Sequence, residues 1–176
     1  MRMSPFVRKA ALAIHLAVSV GWIGAAAAYL ALAIRAMSNP QAAIVRSSWA
    51  TFAFLGWYVL VPLALLTLAT GLLMAAGTRW GVLHHYWVVI SLLLTVLAVA
   101  VLVSHMGDVT ARMQATTTGS ADPAGLASEV LHSGLGLLVL LVVHTLNVYK
   151  PRGLTRLGWR AQQRKGAESG RRVPPA

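Results

Sequence analysis

The sequence predicts an all-α fold, a polytopic membrane protein built as a four-transmembrane-helix bundle. Three observations predict it. Four long runs, 10–34, 49–76, 84–104 and 130–149, carry no charged residue, and about 20 apolar residues cross a bilayer as helix. Apolar residues make up 57% of the chain and charged residues only 11%, with a mean hydropathy of +0.69, which is membrane-protein composition. The basic residues, 15 against 4 acids, gather in the segments between and beyond those runs. That placement argues against nucleic acid as a partner, which would ask for a basic face on a soluble domain. With no cysteine, disulfides, thiolate metal sites, iron–sulfur clusters and covalently attached haem are excluded. No P-loop, dinucleotide-binding or zinc-peptidase motif is present.

The transmembrane domain is expected over 1–150, with helices near 10–34, 50–76, 84–105 and 129–149 and a basic tail over 151–176. The first run follows a short basic start (Arg2, Arg8, Lys9). It is too long for a signal-peptide core and is read as a spanning helix. Arg35 to Ser48 is read as a loop punctuated by Asn39-Pro40. In the second helix Pro62 should produce a kink, and Gly77 to Gly81 a tight turn. The third helix opens on His84-His85-Tyr86-Trp87. Gly107 to Ala127, polar and containing Asp122-Pro123, is read as a solvent loop. The tail from Lys150 is expected to be disordered or to lie on the lipid surface.

The N-terminus, the turn at Arg79 and the tail together hold twelve of the fifteen basic residues. By the positive-inside rule both termini face the cytoplasm of a bacterial inner membrane. The six histidines then fall in two layers. His15, His84, His85 and His144 lie in the cytoplasmic half, and His105 and His132 at the outer boundary. His132 and His144 on the last helix are twelve positions, or roughly 18 Å, apart.

A titratable side chain within a span is costly and marks a functional-site hypothesis. A group that takes two neutral imidazoles from facing helices is haem b. His15 and His144, at matching depths, are the expected axial pair, with His85 or His84 next. Ser19, Trp22 and Ala26 share the His15 face, and Gly134 and Gly136 open the last helix. Ser19 and Thr145 are candidate hydrogen-bond partners for the ligands. The plainer reading of each histidine is a hydrogen bond across helices, or, for His84 and His85, an interfacial belt with Trp80 and Trp87.

At the outer boundary, His105 and His132 with Met106 and Met113 combine imidazole and thioether, a donor set suited to copper. The expected alternatives there are a site for copper or another small metal, or no site at all, with haem also possible. Asp108 and Glu129 are either further ligands of that site or loop charges, and the loop reading is preferred. The Gly/Ala stretch of the first helix (Gly21, Gly24, Ala25 to Ala28) reads as close helix packing, within a protomer or in a homo-oligomer.

His15 to Ala33 (HLAVSVGWIGAAAAYLALA) resembles the H-x6-W-[IV]-G entry helix of bacterial four-helix membrane proteins of the CopD-like and DUF2269-like type. Val61 to Gly81, followed by HHYWVVISLLLTVL, is similar to their Pro- and Gly-marked second helix and their W-V-x-x-K third helix, with Ser91 at the lysine position. The resemblance covers about residues 10–150. It implies haem b or copper handling, with His15 as the residue that carries over. The expected function is therefore a haem b-binding transmembrane redox protein, for electron transfer or oxidoreductase chemistry with an unknown donor and acceptor. The alternatives are a copper transport or resistance protein without haem, or a structural membrane subunit.

Overall fold

The computed structural model describes residues 4–39, 41–77, 82–119, 124–151 and 153–170, with side chains as far as 163 apart from that of residue 124. Helix α1 is Pro5–Ser38. Its start is set by Ser4, whose hydroxyl accepts from the Val7 N–H at 3.3 Å, and by Pro5 at the first helical position, where no N–H is needed. Helix α2, Ala42–Leu55, runs through a π-helical turn, Gly56–Leu60, into α3, Val61–Gly77. Helix α4 is Tyr86–Thr117 and α5 is Ala124–Tyr149. A last helix, α6, is Arg156–Gly170. The described residues contain no strand.

Four helices are long and apolar enough to cross a membrane: α1, the continuous α2–α3 rod, α4 and α5. The chain is a multi-pass membrane protein with a bilayer around it. Neighbours in sequence are neighbours in space. α1 packs on α3 and α5, and α4 packs on α5, α2 and α3, so the four spans close into a ring. One end of the bundle holds the start of α1, the α3–α4 connection and the end of α5, and is called here the terminal end.

The helices overrun the apolar stretches. The expected loop Arg35 to Ser48 shrinks to the residues around Pro40, because α1 continues to Ser38 and α2 begins at Ala42. The expected loop Gly107 to Ala127 is helical to Thr117 and again from Ala124. The reason is that hydropathy marks where lipid is, whereas a helix ends only where Pro or Gly breaks it. The Gln, Arg, Thr and Ala of these segments are compatible with helix, and Gly119, at φ +117°, supplies the stop. Of the two expectations for the tail, disorder is corrected over Arg156–Gly170, which forms α6. The expected turn over Gly77 to Gly81, with Arg79 and Trp80, lies outside the described residues beyond Gly77, as do Pro40 and Asp122.

Pro62 acts one turn upstream. It has no N–H to give the Tyr58 carbonyl, and the rod widens into the π turn directly before it. Within that turn Gly56 has no side chain, and the Met106 thioether fills the space. The Met106 Cε lies 2.2 Å from where a Gly56 Cβ would stand. Met106 is only 1% exposed. Among helices in lipid such close packing supplies attraction that the hydrophobic effect does not.

At the terminal end, the chain after α5 is tied to the α3–α4 connection. The Thr155 N–H donates to the His84 carbonyl at 3.0 Å and the Tyr86 N–H to the Gly153 carbonyl at 3.4 Å. Gly158 meets the same connection, for a Cβ there would lie 2.2 Å from the His84 carbonyl oxygen.

Gly56→Ala is expected to displace Met106 and lower stability by about 1–3 kcal/mol. A thermal melt of the detergent-solubilised protein would show it, and an unchanged midpoint would mean the methionine finds another seat without cost.

Candidate functional site

The polar centre of the bundle lies toward the end away from the termini. It joins three helices through one carboxyl group. Glu129 on α5 is 2% exposed. The Tyr29 hydroxyl on α1 donates to Glu129 Oε1 at 2.5 Å. His105 Nε2 on α4 lies 3.1 Å from both carboxylate oxygens. Helical periodicity explains the arrangement. Tyr29 follows Trp22 and Ala26 on one face of α1, and Glu129 precedes Ser133, Gly136 and Leu140 on one face of α5. A buried carboxylate without partners is costly in hydrocarbon, and here two donors satisfy it.

His132 lies one turn along α5 from Glu129, and its ring stacks on that of His105, with centroids 4.2 Å apart and planes 10° from parallel. His132 Nδ1 lies 2.9 Å from the Ser128 carbonyl. A carbonyl only accepts, so Nδ1 carries the hydrogen, and in the neutral ring Nε2 keeps its lone pair.

Aromatic rings cover the centre on the α2 side. Phe52 lies 4.9 Å from Tyr29 and 5.7 Å from Trp49 between ring centroids. The Arg112 guanidinium sits 5.5 Å above the Trp49 ring. Gly125 leaves room for this pair, since a Cβ there would lie 2.2 Å from Arg112 Nη1 and 2.9 Å from Trp49 Cζ2.

On the opposite side the centre borders a cleft of about 360 Å³ between α1, α4 and α5, within the size range of small-molecule and cofactor sites. Its walls include Trp22, Ala26, Leu140 and Gly136, and its polar corner is Tyr29, His105, Glu129, His132 and Ser133. The rim residues Leu97, Val101 and Leu135 are exposed, so the cleft opens sideways between α4 and α5.

The structure brings His105 and His132 together, with Met106, Trp22, Ala26 and Gly136 in the walls of the same cleft, and places the other expected residues elsewhere. His15 lies between α1 and α3, where its Nδ1 meets Thr70 Oγ1 at 2.9 Å and its Cε1 lies 3.2 Å from where a Gly71 Cβ would stand. Thr70 gives its own hydrogen to the Leu66 carbonyl at 2.7 Å. It therefore accepts from His15, whose Nε2 keeps a lone pair. His144 is half-buried on the cleft-facing side of α5, one turn beyond Leu140. It forms no hydrogen bond or ring contact among the described residues. No such contact joins His15 to His144.

His84 and His85 precede α4 rather than opening it, and their backbone serves the junction with the chain before α6. Met106 packs against Gly56, and Met113, half-buried, packs on the core. Ser19 and Thr145 bond carbonyls of their own helices, at Leu16 and Leu141. No group of three or more His, Asp or Glu side chains among the described residues is arranged to hold a metal ion.

Two residues of the centre escaped the sequence reading. Glu129 is corrected from a loop charge to the most deeply bonded polar group of the site, because α5 begins a full turn earlier than its apolar run. The usable signal was Glu129-x-x-His132, a spacing that places both side chains on one helix face. Tyr29 gave no signal beyond an aromatic residue in an apolar helix.

No family model matches this chain, and neither a curated protein nor a solved structure matches it.

Removing one partner of a buried pair leaves the other uncompensated and costs about 3–5 kcal/mol. Glu129→Ala should therefore destabilise the bundle far more than Asp108→Ala, whose side chain is exposed. Comparing the two thermal midpoints in one detergent checks this. A double-mutant cycle of Glu129→Ala with Tyr29→Phe should show coupling between the two changes.

Proposed function

We propose that the protein is a haem b-binding redox protein of the bacterial inner membrane, with both termini cytoplasmic. The observation that carries this reading is the state of the imidazoles in the half of the bundle toward the termini. His15 has one ring nitrogen anchored by Thr70, which is how an iron-ligating histidine is held, oriented by a hydrogen bond on the nitrogen that does not bind metal. His144 lies in a spanning helix without a hydrogen-bonding partner among the described residues, an expense that ligation would remove. The helices that carry them, α1 and α5, pack against each other.

Two imidazoles are the ligand chemistry of haem b, with His15 on the α3 side of α1 and His144 half-buried on α5. His15 and His144 would hold the iron, and the haem would supply one-electron transfer. The chain's own contribution is to anchor His15 through Thr70, to keep water from the iron with apolar side chains, and to set the ligand's basicity through that hydrogen bond. Further support comes from the basic residues, whose concentration at the terminal end of the bundle gives the orientation.

The copper reading has less behind it. Only His105 and His132 of its donor set are brought together, and their Nε2 and Nδ1 are already engaged by Glu129 and by the Ser128 carbonyl. Metal analysis of the purified protein separates the two readings.

The deciding experiment is the visible spectrum of the purified protein, oxidised and dithionite-reduced, with iron and copper measured on the same sample. A sharp α-band on reduction with near-stoichiometric iron is expected. His15→Ala and His144→Ala should each abolish the low-spin spectrum, and His84→Ala should leave it intact. A colourless protein purified from cells supplied with haem would refute the proposal. Retention of the spectrum in both variants would refute the ligand pair.

A further inference from the structure

We infer that the cleft between α1, α4 and α5 is the binding site of a lipid-soluble hydroquinone, a quinol. Its ring would lie among Trp22, Ala26 and Gly136, and its phenolic hydroxyl would donate to the Glu129–His132 corner. This goes beyond the haem reading and stands on the cleft alone.

Access decides the first property of the ligand. The cleft opens past Leu97, Val101 and Leu135, which are exposed side chains of spanning helices. The ligand reaches it from hydrocarbon, not from water, and must be lipid-soluble. Shape gives the second. About 360 Å³ of largely apolar space, with no side chain on Gly136 to divide it, takes one ring system and the start of a tail.

The hydrogen-bond count of the corner gives the third. Every donor there is already committed. The Tyr29 hydroxyl goes to Glu129 Oε1, and His105 Nε2 meets the same carboxyl group. His132 Nδ1 goes to the Ser128 carbonyl, and the Ser133 hydroxyl to the Glu129 carbonyl at 2.7 Å. What remains is acceptor capacity, at His132 Nε2 and at Glu129 Oε2, which receives only His105. An acceptor-rich corner selects a ligand that donates. The phenolic hydroxyls of a quinol do so. The carbonyls of the oxidised quinone only accept, as do phospholipid phosphates, and this corner offers them no donor; the Trp22 indole N–H is a lining donor outside it. A site built to hydrogen-bond a hydroxyl discriminates strongly against an analogue without one.

The test uses the full-length protein in phosphatidylcholine nanodiscs, titrated anaerobically with a decyl-substituted benzoquinol and with its oxidised quinone. The quinol is expected to bind about tenfold more tightly, the equivalent of one net hydrogen bond of about 1.4 kcal/mol. Gly136→Leu should abolish quinol binding without unfolding the protein, because nothing lies within 4 Å of a Cβ built there. Glu129→Gln, which replaces an acceptor with an amide that also donates, should shrink or reverse the preference for the reduced form. Equal affinity for the two redox forms, binding undiminished in Gly136→Leu, or displacement of the quinol by an equal concentration of a long-chain aliphatic alcohol would overturn the inference. Absence of haem from the same preparation would refute the haem proposal and leave this one standing. Haem present with no quinol binding would do the reverse.

Discussion

The Glu129 carboxyl group is the contact on which the packing of three spans depends. It is the meeting point of a donor from α1 and a donor from α4, and it lies in the part of α5 that faces both helices. In water, register between helices follows from which apolar stripe each must hide. In lipid that driving force is absent, because a leucine is as content against an acyl chain as against another leucine. A buried carboxylate with two specific donors restores a unique register, since sliding any one of the three helices by a turn would strand a charge or a hydroxyl in hydrocarbon. Many large apolar side chains on the outside of this bundle, such as Leu65, Leu66, Leu93 and Leu97, are exposed and carry no register information. The polar centre supplies it.

The fourth span is fixed by shape instead of charge. The α2–α3 rod gives no group to Glu129. It is located by the Met106 thioether seated in the space at Gly56, by the rings of Trp49 and Phe52 stacked toward Tyr29, and by the Trp57 indole, which donates to Thr110 at 3.0 Å. The π turn before Pro62 places Gly56 and Trp57 in one widened stretch, so the proline's missing N–H and the seat for Met106 belong to the same local distortion. A straight helix here would present a different face to α4 from Trp57 onward.

The spans were legible in the sequence because an uncharged run long enough to cross a bilayer is rare outside membranes. The helix ends were not, since Arg35 to Ser38 and Asp108 to Thr117 are polar yet contain neither Pro nor Gly, and hydropathy alone cannot tell a wetted helix from a loop. The site divides on the same line. His105 and His132 could be paired from sequence, because each sits at the same end of an apolar run on helices consecutive in the chain. Glu129 could not, because a single acid beside a polar segment looks like a loop charge until α5 is known to begin at Ala124. The facing of His15 was equally hidden. Thr70 and Gly71, fifty-five and fifty-six positions away, decide it, and periodicity along α1 says nothing of which neighbour lies behind each face.

The placement of the histidines gives the bundle two chemically different halves. Toward the termini, the His15 imidazole is held by Thr70 and the half-buried His144 has no hydrogen-bonding partner among the described residues. Toward the other end, His105 and His132 belong to a network in which a carboxylate, a phenol and backbone carbonyls have fixed the direction of every hydrogen bond. A ligand there meets an ordered set of acceptors beside an apolar wall. On α5 the two halves are separated by the stretch from Gly134 to Leu140, whose cleft-facing positions are small or apolar and which contains no titratable group. Roughly 18 Å of helix axis therefore separates the imidazoles of His132 and His144, with apolar side chains and the lipid-facing cleft between them. No side chain of that interval in α5 can pass a hydrogen bond from one half to the other.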